Sequence, residues 1–392
     1  MKKKDYLDEL DKDQTIMEIY HKFYMNVVTA IIHNIKGLQK VSDAEYRQYV
    51  KKTTKDIYNK TNAEVLKVNK ELKQNVGKSM KKSANVKLQS MEDMYKYKDI
   101  PLIMTKTQLD IVSDAVAKSF KEAKKMNAEL PQNAKKQYIE SVNKYTNEML
   151  KGNITFDEAV KRATKEVREK GIDLTYKRKV KVKNKITGKK EDKIQNVHVE
   201  PDVAVKRNII DNMKQAGDKI NEEVKKKLGT DGVKINVSSN ARPSHQEWQG
   251  RIFADGDVGK TVDGVYYPPF APYQDQLHDY NCNHYATYVF LGIAEPDYTD
   301  KELYEINHRT VKYKGKTISA YDGSQIQRRL ENQIRKTKRN IEALEKEGLD
   351  AKEEKNRLQH EYKKYREASR EMEMEQKYRN LRAFWQENDI VL

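Results

Sequence analysis

Two short strings hold the side chains whose types and spacing could do chemistry: ARPSHQEWQGRIF, Ala241 to Phe253, and YNCNHYATYVF, Tyr280 to Phe290. Arg242 can meet a carboxylate or phosphate, and Ser244 can cap a turn. His245 and Trp248, three residues apart, share a face if a helix opens at Pro243 or Ser244. Gly250 then lets the chain turn sharply. Cys282 and His284 add a thiol and an imidazole that share one face of a strand. With His245 as a third donor and Asp275, His278 or Asp279 as a fourth, neutral imidazoles and a thiolate can hold zinc. The same residues admit nucleophilic chemistry, with Cys282 attacking and His245 acting as base. Neither reading has a diagnostic spacing behind it, and no oxyanion hole can be read. The residues alone therefore predict a polar network around a buried Trp248, with Cys282 packed as a small hydrophobe. No metal, cofactor or catalysis is expected.

Other strings fall short of their chemistry. DGDVGKTVDG, Asp255 to Gly264, lacks the spacing of a phosphate cradle, so Lys260 and Thr261 do not predict a nucleotide site. Asp255, Asp257 and Asp263 lack the terminal glutamate of a calcium loop and predict a solvated turn. Ser244 and His245 lack the strand-turn-helix context of an esterase elbow.

The elements that must position these residues follow from composition and period. The chain has 392 residues, 77 Lys plus Arg against 60 Asp plus Glu, a net charge of +17 and one cysteine. A 35% charged, 37% hydrophobic chain predicts long solvated helices around modest cores. The lone Cys282 excludes an intrachain disulfide framework. The short, polar-interrupted stretch Met25 to Ile35 predicts neither a signal peptide nor a membrane span.

The fold class expected is mainly α. An elongated helical region covers 1–170, with Ile16, Ile19, Tyr20, Phe23, Val27 and Val28 grouped at three- and four-residue steps. Thr155 and Glu158 predict the start of a helix that ends near Gly171. A basic hairpin or linker covers 171–200. Residues 171–195 hold nine Lys plus Arg and three Asp plus Glu, net +6 by subtraction. Lys177, Arg178, Lys179, Lys181, Lys183, Lys185, Lys189, Lys190 and Lys193 are thus the DNA-contact candidates. A compact α+β domain covers 201–315, opening with a helix from Val203 to Leu228 and a short extended run through Val233, Ile235 and Val237. Long C-terminal helices cover 316–392, capped at Ser324 and pairing as a hairpin or coiled coil.

At the two strings, and at YDGSQIQRRLENQIRKTKR, Tyr321 to Arg339, the sequence resembles the tailed-bacteriophage minor capsid proteins of the minor capsid protein 2 type. The matching positions are Ala241, Arg242, Pro243, Ser244 and His245, with Trp248 through Gly250. Next come Asn281, Cys282 and His284, and after them Tyr321, Ser324, Gln325, Gln327 and Arg328. Three matches in order are more specific than any one. The resemblance covers roughly 200 to 390. It departs at Asn283, a place often basic in such proteins, and at Arg329 and Leu330, where an aromatic-aliphatic pair is usual.

The resemblance implies a noncatalytic virion component, made in the host cytoplasm and built in or beside the head near the portal. It would aid head assembly, genome packaging or early DNA delivery. Its partners would be portal, major capsid or scaffold proteins, with nonspecific contact to packaged DNA and self-association through the C-terminal helices. Two alternatives stand beside it: a sequence-nonspecific polyanion-binding module, and a virion-associated Cys-His enzyme.

Overall fold

The structure, a computed structural model, describes residues 6–11, 15–42, 44–183, 190–278, 282, 284–376 and 381. Lys185, Lys189, Asp279 and Asn281 lie outside the described residues.

The first half is helical. Helices α1 (Tyr6–Asp11), α2 (Thr15–Gly37), α3 (Tyr46–Gln89), α4 (Glu92–Tyr97), α5 (Lys106–Asn127), α6 (Leu130–Leu150) and α7 (Phe156–Lys170) follow one another. α2 is apolar on most of its circumference, burying Ile16, Ile19, Tyr20, Phe23, Val27, Val28, Ile31, Ile32 and Ile35. Such a helix must be surrounded, and α2 packs against α3, α7 and two later helices. α3 runs 44 residues without a break and buries one stripe, including Ile57, Val65, Val68, Leu72, Val76 and Met80. α5 begins with a reciprocal capping box between Thr105 and Gln108. The Thr155 hydroxyl accepts the Glu158 N–H at the start of α7, and Gly171 caps its end.

The basic segment forms an antiparallel hairpin of β1 (Leu174–Lys183) and β2 (Lys190–Val199). Pro201 then opens α8 (Pro201–Leu228), which ends on Gly229 in the left-handed conformation, φ 73°. β3 (Gly232–Ile235) is the centre of a three-stranded antiparallel sheet, between β4 (Ile252–Ala254) and a later strand. A small hairpin, β5 (Lys260–Val262) and β6 (Val265–Tyr267), and the one-turn helix α9 (Ala271–Gln274) precede that strand, β7 (Ala286–Val289). β7 rests on α8. Val233 and Ile235, on one face of β3 at the two-residue period of a strand, enter a small core with Trp248, Phe253, Phe270, Leu277, Cys282 and Ala286.

α10 (Asp300–Asn307) and the hairpin β8 (Thr310–Tyr313) and β9 (Lys316–Ser319) lead into α11 (Ala320–Lys346), followed by α12 (Lys352–Glu371). The expected cap at Ser324 is corrected. Ser319 caps α11 by accepting the Asp322 N–H, because the chain leaves β9 at Ser319 and turns helical at once. Ser324 lies inside the helix and its hydroxyl donates to the Tyr321 carbonyl at 2.7 Å. The stripes of α11 and α12 meet within the chain as a helical hairpin, with Ile334, Ile341 and Leu344 in one cluster with Leu358 and Tyr365.

Candidate metal centre

The two strings converge although 37 residues separate His245 from Cys282. The first enters a short 3-10 turn, Pro243–His245, that aims His245 inward. Trp248 follows, fully buried, its indole N–H donating to Gln276 Oε1 at 2.9 Å. Gly250 then reverses the chain toward β4 at φ 73°, where a side-chain carbon would lie 2.6 Å from Val237 Cγ2. Only glycine suits that backbone and that gap. The second string carries Cys282 and His284 just ahead of β7.

Three potential ligand atoms face one another. His245 Nδ1 lies 3.2 Å from His284 Nδ1, and Cys282 Sγ lies 3.8 Å from His245 Nδ1 and 3.6 Å from His284 Nδ1. Zn–N bonds of about 2.0–2.1 Å and a Zn–S bond of about 2.3 Å, in a tetrahedron, require edges of about 3.3 Å between nitrogens and about 3.6 Å between nitrogen and sulfur. The triangle matches those edges to within about 0.2 Å, so the donors stand where one tetrahedral ion would hold them. All three residues are buried, at 1%, 7% and 2% exposure. Among the described residues this is the close set, and no carboxylate joins it. Asp275 is exposed at the start of the neighbouring 3-10 turn.

A chain of amides sets the tautomer of His284. The Gln246 carbonyl can only accept, so it takes the Asn307 amide N–H at 2.7 Å and leaves Asn307 Oδ1 to accept from Gln249 Nε2. Gln249 Oε1 then accepts the Ser238 backbone N–H at 2.9 Å and faces His284 Nε2 at 2.7 Å. His284 Nε2 must therefore carry the proton, and the Nδ1 lone pair points at the cluster. Burial, and then the charges of His245, Lys214 and Arg242, push the His284 pKa down to about 3. The ring is neutral at pH 7, the form that binds a metal.

Further contacts hold the frame. The ring of Trp248 lies 4.7 Å from His245 and 4.9 Å from His284, forming an apolar wall. Lys214, buried on α8, donates to the carbonyls of Leu277 and Cys282. At the other end of the segment, buried Lys87 on α3 and Asn221 on α8 both donate to the Ala286 carbonyl at 2.8 Å. Sequence reasoning missed Gln249, Asn307 and Lys214. Only the place of Gln249 inside the Trp-Gln-Gly string hinted at a role.

The remaining motif residues lie apart in function. Arg242 is partly buried and acts on His284 through its charge. Pro243 opens the 3-10 turn, and Ser244 is exposed on it. Tyr321, Ser324, Gln325 and Arg328 sit on the first turns of α11, where Gln325 Nε2 reaches Ser324 Oγ at 3.5 Å and Arg328 is exposed. Lys177, Arg178, Lys179, Lys181 and Lys183 fall on β1, with Lys190 and Lys193 on β2.

This geometry corrects the expectation of a noncatalytic protein that is no enzyme. A buried His-Cys-His cluster whose ligand atoms lie 3.2 to 3.8 Å from one another has chemical capability that scattered residues did not suggest. The expectation failed because a ligand set drawn from two loops has no signature in linear spacing. No helix among the described residues is long and apolar enough to cross a membrane. Comparison with curated proteins and with solved structures gives no match. Residues 3–368, however, match the family model described as "Phage minor capsid protein 2". That match takes in the helical body, the sheet with its metal-competent loops and the C-terminal hairpin: the chain belongs to the phage minor capsid protein 2 family.

Proposed function

We propose that this phage structural protein carries a transition-metal centre, zinc by donor type, bound by His245 Nδ1, Cys282 Sγ and His284 Nδ1. The observation that carries the reading is the triangle of 3.2, 3.6 and 3.8 Å among three buried donors. Among the described residues two imidazoles and one thiolate supply three positions of a tetrahedron, and water or substrate in the fourth would give the pattern of catalytic zinc sites. When bound, the metal supplies Lewis acidity, which brings a coordinated water to a pKa of about 7 and suits hydrolysis. The chain's own residues orient the ligands. Gln249 keeps the proton on His284 Nε2, Lys214 holds the Cys282 carbonyl, and Trp248 excludes water from one side.

Metal analysis of protein purified without chelators tests this. About one zinc per chain is expected, lost in Cys282→Ala and in His284→Ala, with hydrolysis of model esters or phosphodiesters lost in parallel. Protein that folds fully with no bound metal, and takes none up from added zinc, would sink the centre.

A second reading rests on one contact. His284 Nδ1 accepts from the Cys282 thiol direction at 3.6 Å while its Nε2 donates to Gln249, the relay of a thiol nucleophile, base and orienting amide. Activity that survives chelation but is lost on thiol alkylation would select it over the metal. Within the virion we place the protein in or beside the head near the portal, against portal, major capsid or scaffold proteins, a reading supported by family membership. Imaging of assembled particles at side-chain resolution tests that placement.

A further inference from the structure

α3 exposes a charged face of unusual uniformity. Ten of its exposed residues are lysines, and its one exposed acid is Asp56. Lys60 and Lys67 pair with buried Glu64 at 3.8 and 2.7 Å. Lys51, Lys55, Lys70, Lys73, Lys78 and Lys81 are exposed, and no carboxylate partner is found for them among the described residues. At about 100° per residue these six fall in one half of the helix circumference. The buried stripe of Ile57, Val65, Val68, Leu72 and Val76 occupies the other.

From Lys51 to Lys81 the row runs about 45 Å at about 1.5 Å per residue. That is longer than one turn of duplex DNA, about 34–36 Å. We infer that the lysine face of α3 is a docking surface for double-stranded DNA, binding the phosphate backbone without reading sequence. Three features favour this occupant. Lysine ammoniums are point charges suited to phosphates, whereas base readout relies on the planar fork of arginine. One exposed aromatic, Tyr58, is too few for the stacked bases of a single strand. A row of lysines that extends over more than one helical turn also fits a long polyanion better than a compact acidic protein patch.

The β1–β2 hairpin is the rival surface. It holds more positive charge per residue in sequence, but Glu191 and Asp192 stand in register opposite Val182 and Lys181, within its basic run. A test compares two variants of the full chain on an arbitrary 30-base-pair duplex across a salt series. In one, Lys51, Lys55, Lys70, Lys73, Lys78 and Lys81 are changed to Gln. In the other, Lys177, Lys179, Lys181 and Lys183 are. Each phosphate contact contributes about 0.9 to the slope of log affinity against log salt. The α3 variant is expected to lose roughly 3–5 from that slope and at least about tenfold in affinity at low salt. The hairpin variant should stay within about threefold of the unmodified protein, and circular dichroism of both should match it. The inference is overturned if the hairpin variant carries the loss, if the unmodified protein does not bind duplex at low salt, or if polyglutamate competes as well as DNA.

Discussion

The His245–Cys282–His284 cluster and the cleft where α2, α7 and α11 meet are both polar and buried, yet they handle charge in opposite ways. In the cluster burial drives the His284 proton off and leaves its ring able to become a ligand. In the cleft, a cavity of about 530 Å³ bordered by Arg168, Asp173, Glu200, Asp202 and Arg339, the groups compensate one another. Arg339 pairs with Glu200 and lies over the ring of Tyr24, 5.0 Å from its centroid. Burial works against the charge of Glu200, but Arg339, with Arg335 and Lys336, outweighs it and lowers the Glu200 pKa. For Asp202 and Asp173 the balance goes the other way: burial first, and Glu200 second, outweigh the lowering charge of Arg339 and raise both, Asp173 to about 6. Ion pairing inside a fold satisfies its own groups, whereas close-set imidazole and thiol groups are a set that a cation can satisfy.

Removing a ligand should break the comparison most. Cys282→Ala is expected to lower metal content from about one per chain to near zero by elemental analysis, while Arg339→Met leaves metal content unchanged. Arg339→Ala comes next. Breaking a fully buried pair costs about 3–5 kcal/mol. Glu200 keeps 38% of its side chain exposed, so we expect about 2–3 kcal/mol by urea denaturation. Gln249→Leu should be smaller, with zinc affinity falling about 10- to 100-fold in competition titrations because the His284 tautomer is no longer held. A Gln249→Leu protein with unaltered affinity would remove the tautomer argument.

Asp173→Asn should have the smallest effect, and its sign depends on pH. The folded pKa of Asp173 is raised from 3.8 to about 6. Its favourable contribution is therefore complete below about 4 and lost as pH rises through about 6. The variant should melt like the unmodified protein near pH 4 and roughly 1–3 °C higher at pH 7. Equal shifts at both pH values would show that the carboxyl is not strained by burial.

Helix ends were legible in the sequence wherever the stop or start signal is local. Thr155, three residues before Glu158, acts within one turn of the backbone and sits at the predicted end, and Gly229 follows the expected last residue Leu228, whereas the helix opens at Pro201, two residues before the expected Val203. Ser324 misled because serine is equally able to cap or to sit inside a helix; the end of β9 decided that Ser319 would serve. The basic run at 171–195 drew attention through density along the chain, while the α3 lysines, spaced by three to fifteen residues, become a row only when a 44-residue helix stacks them.

The amino-acid sequence by itself determined the helical class and the family, since those follow from period and ordered strings; it left the basic segment open between hairpin and linker, and it offered His245, Cys282 and His284 while expecting no metal there. Only the tertiary structure decided what the donors do together. Packing of β3 between β4 and β7, with Gly250 turning one loop and Lys214 holding the other, brings His245 within 3.2 Å of His284. A ligand set made between residues 37 positions apart in the chain is a property of that packing, and linear spacing carries no trace of it.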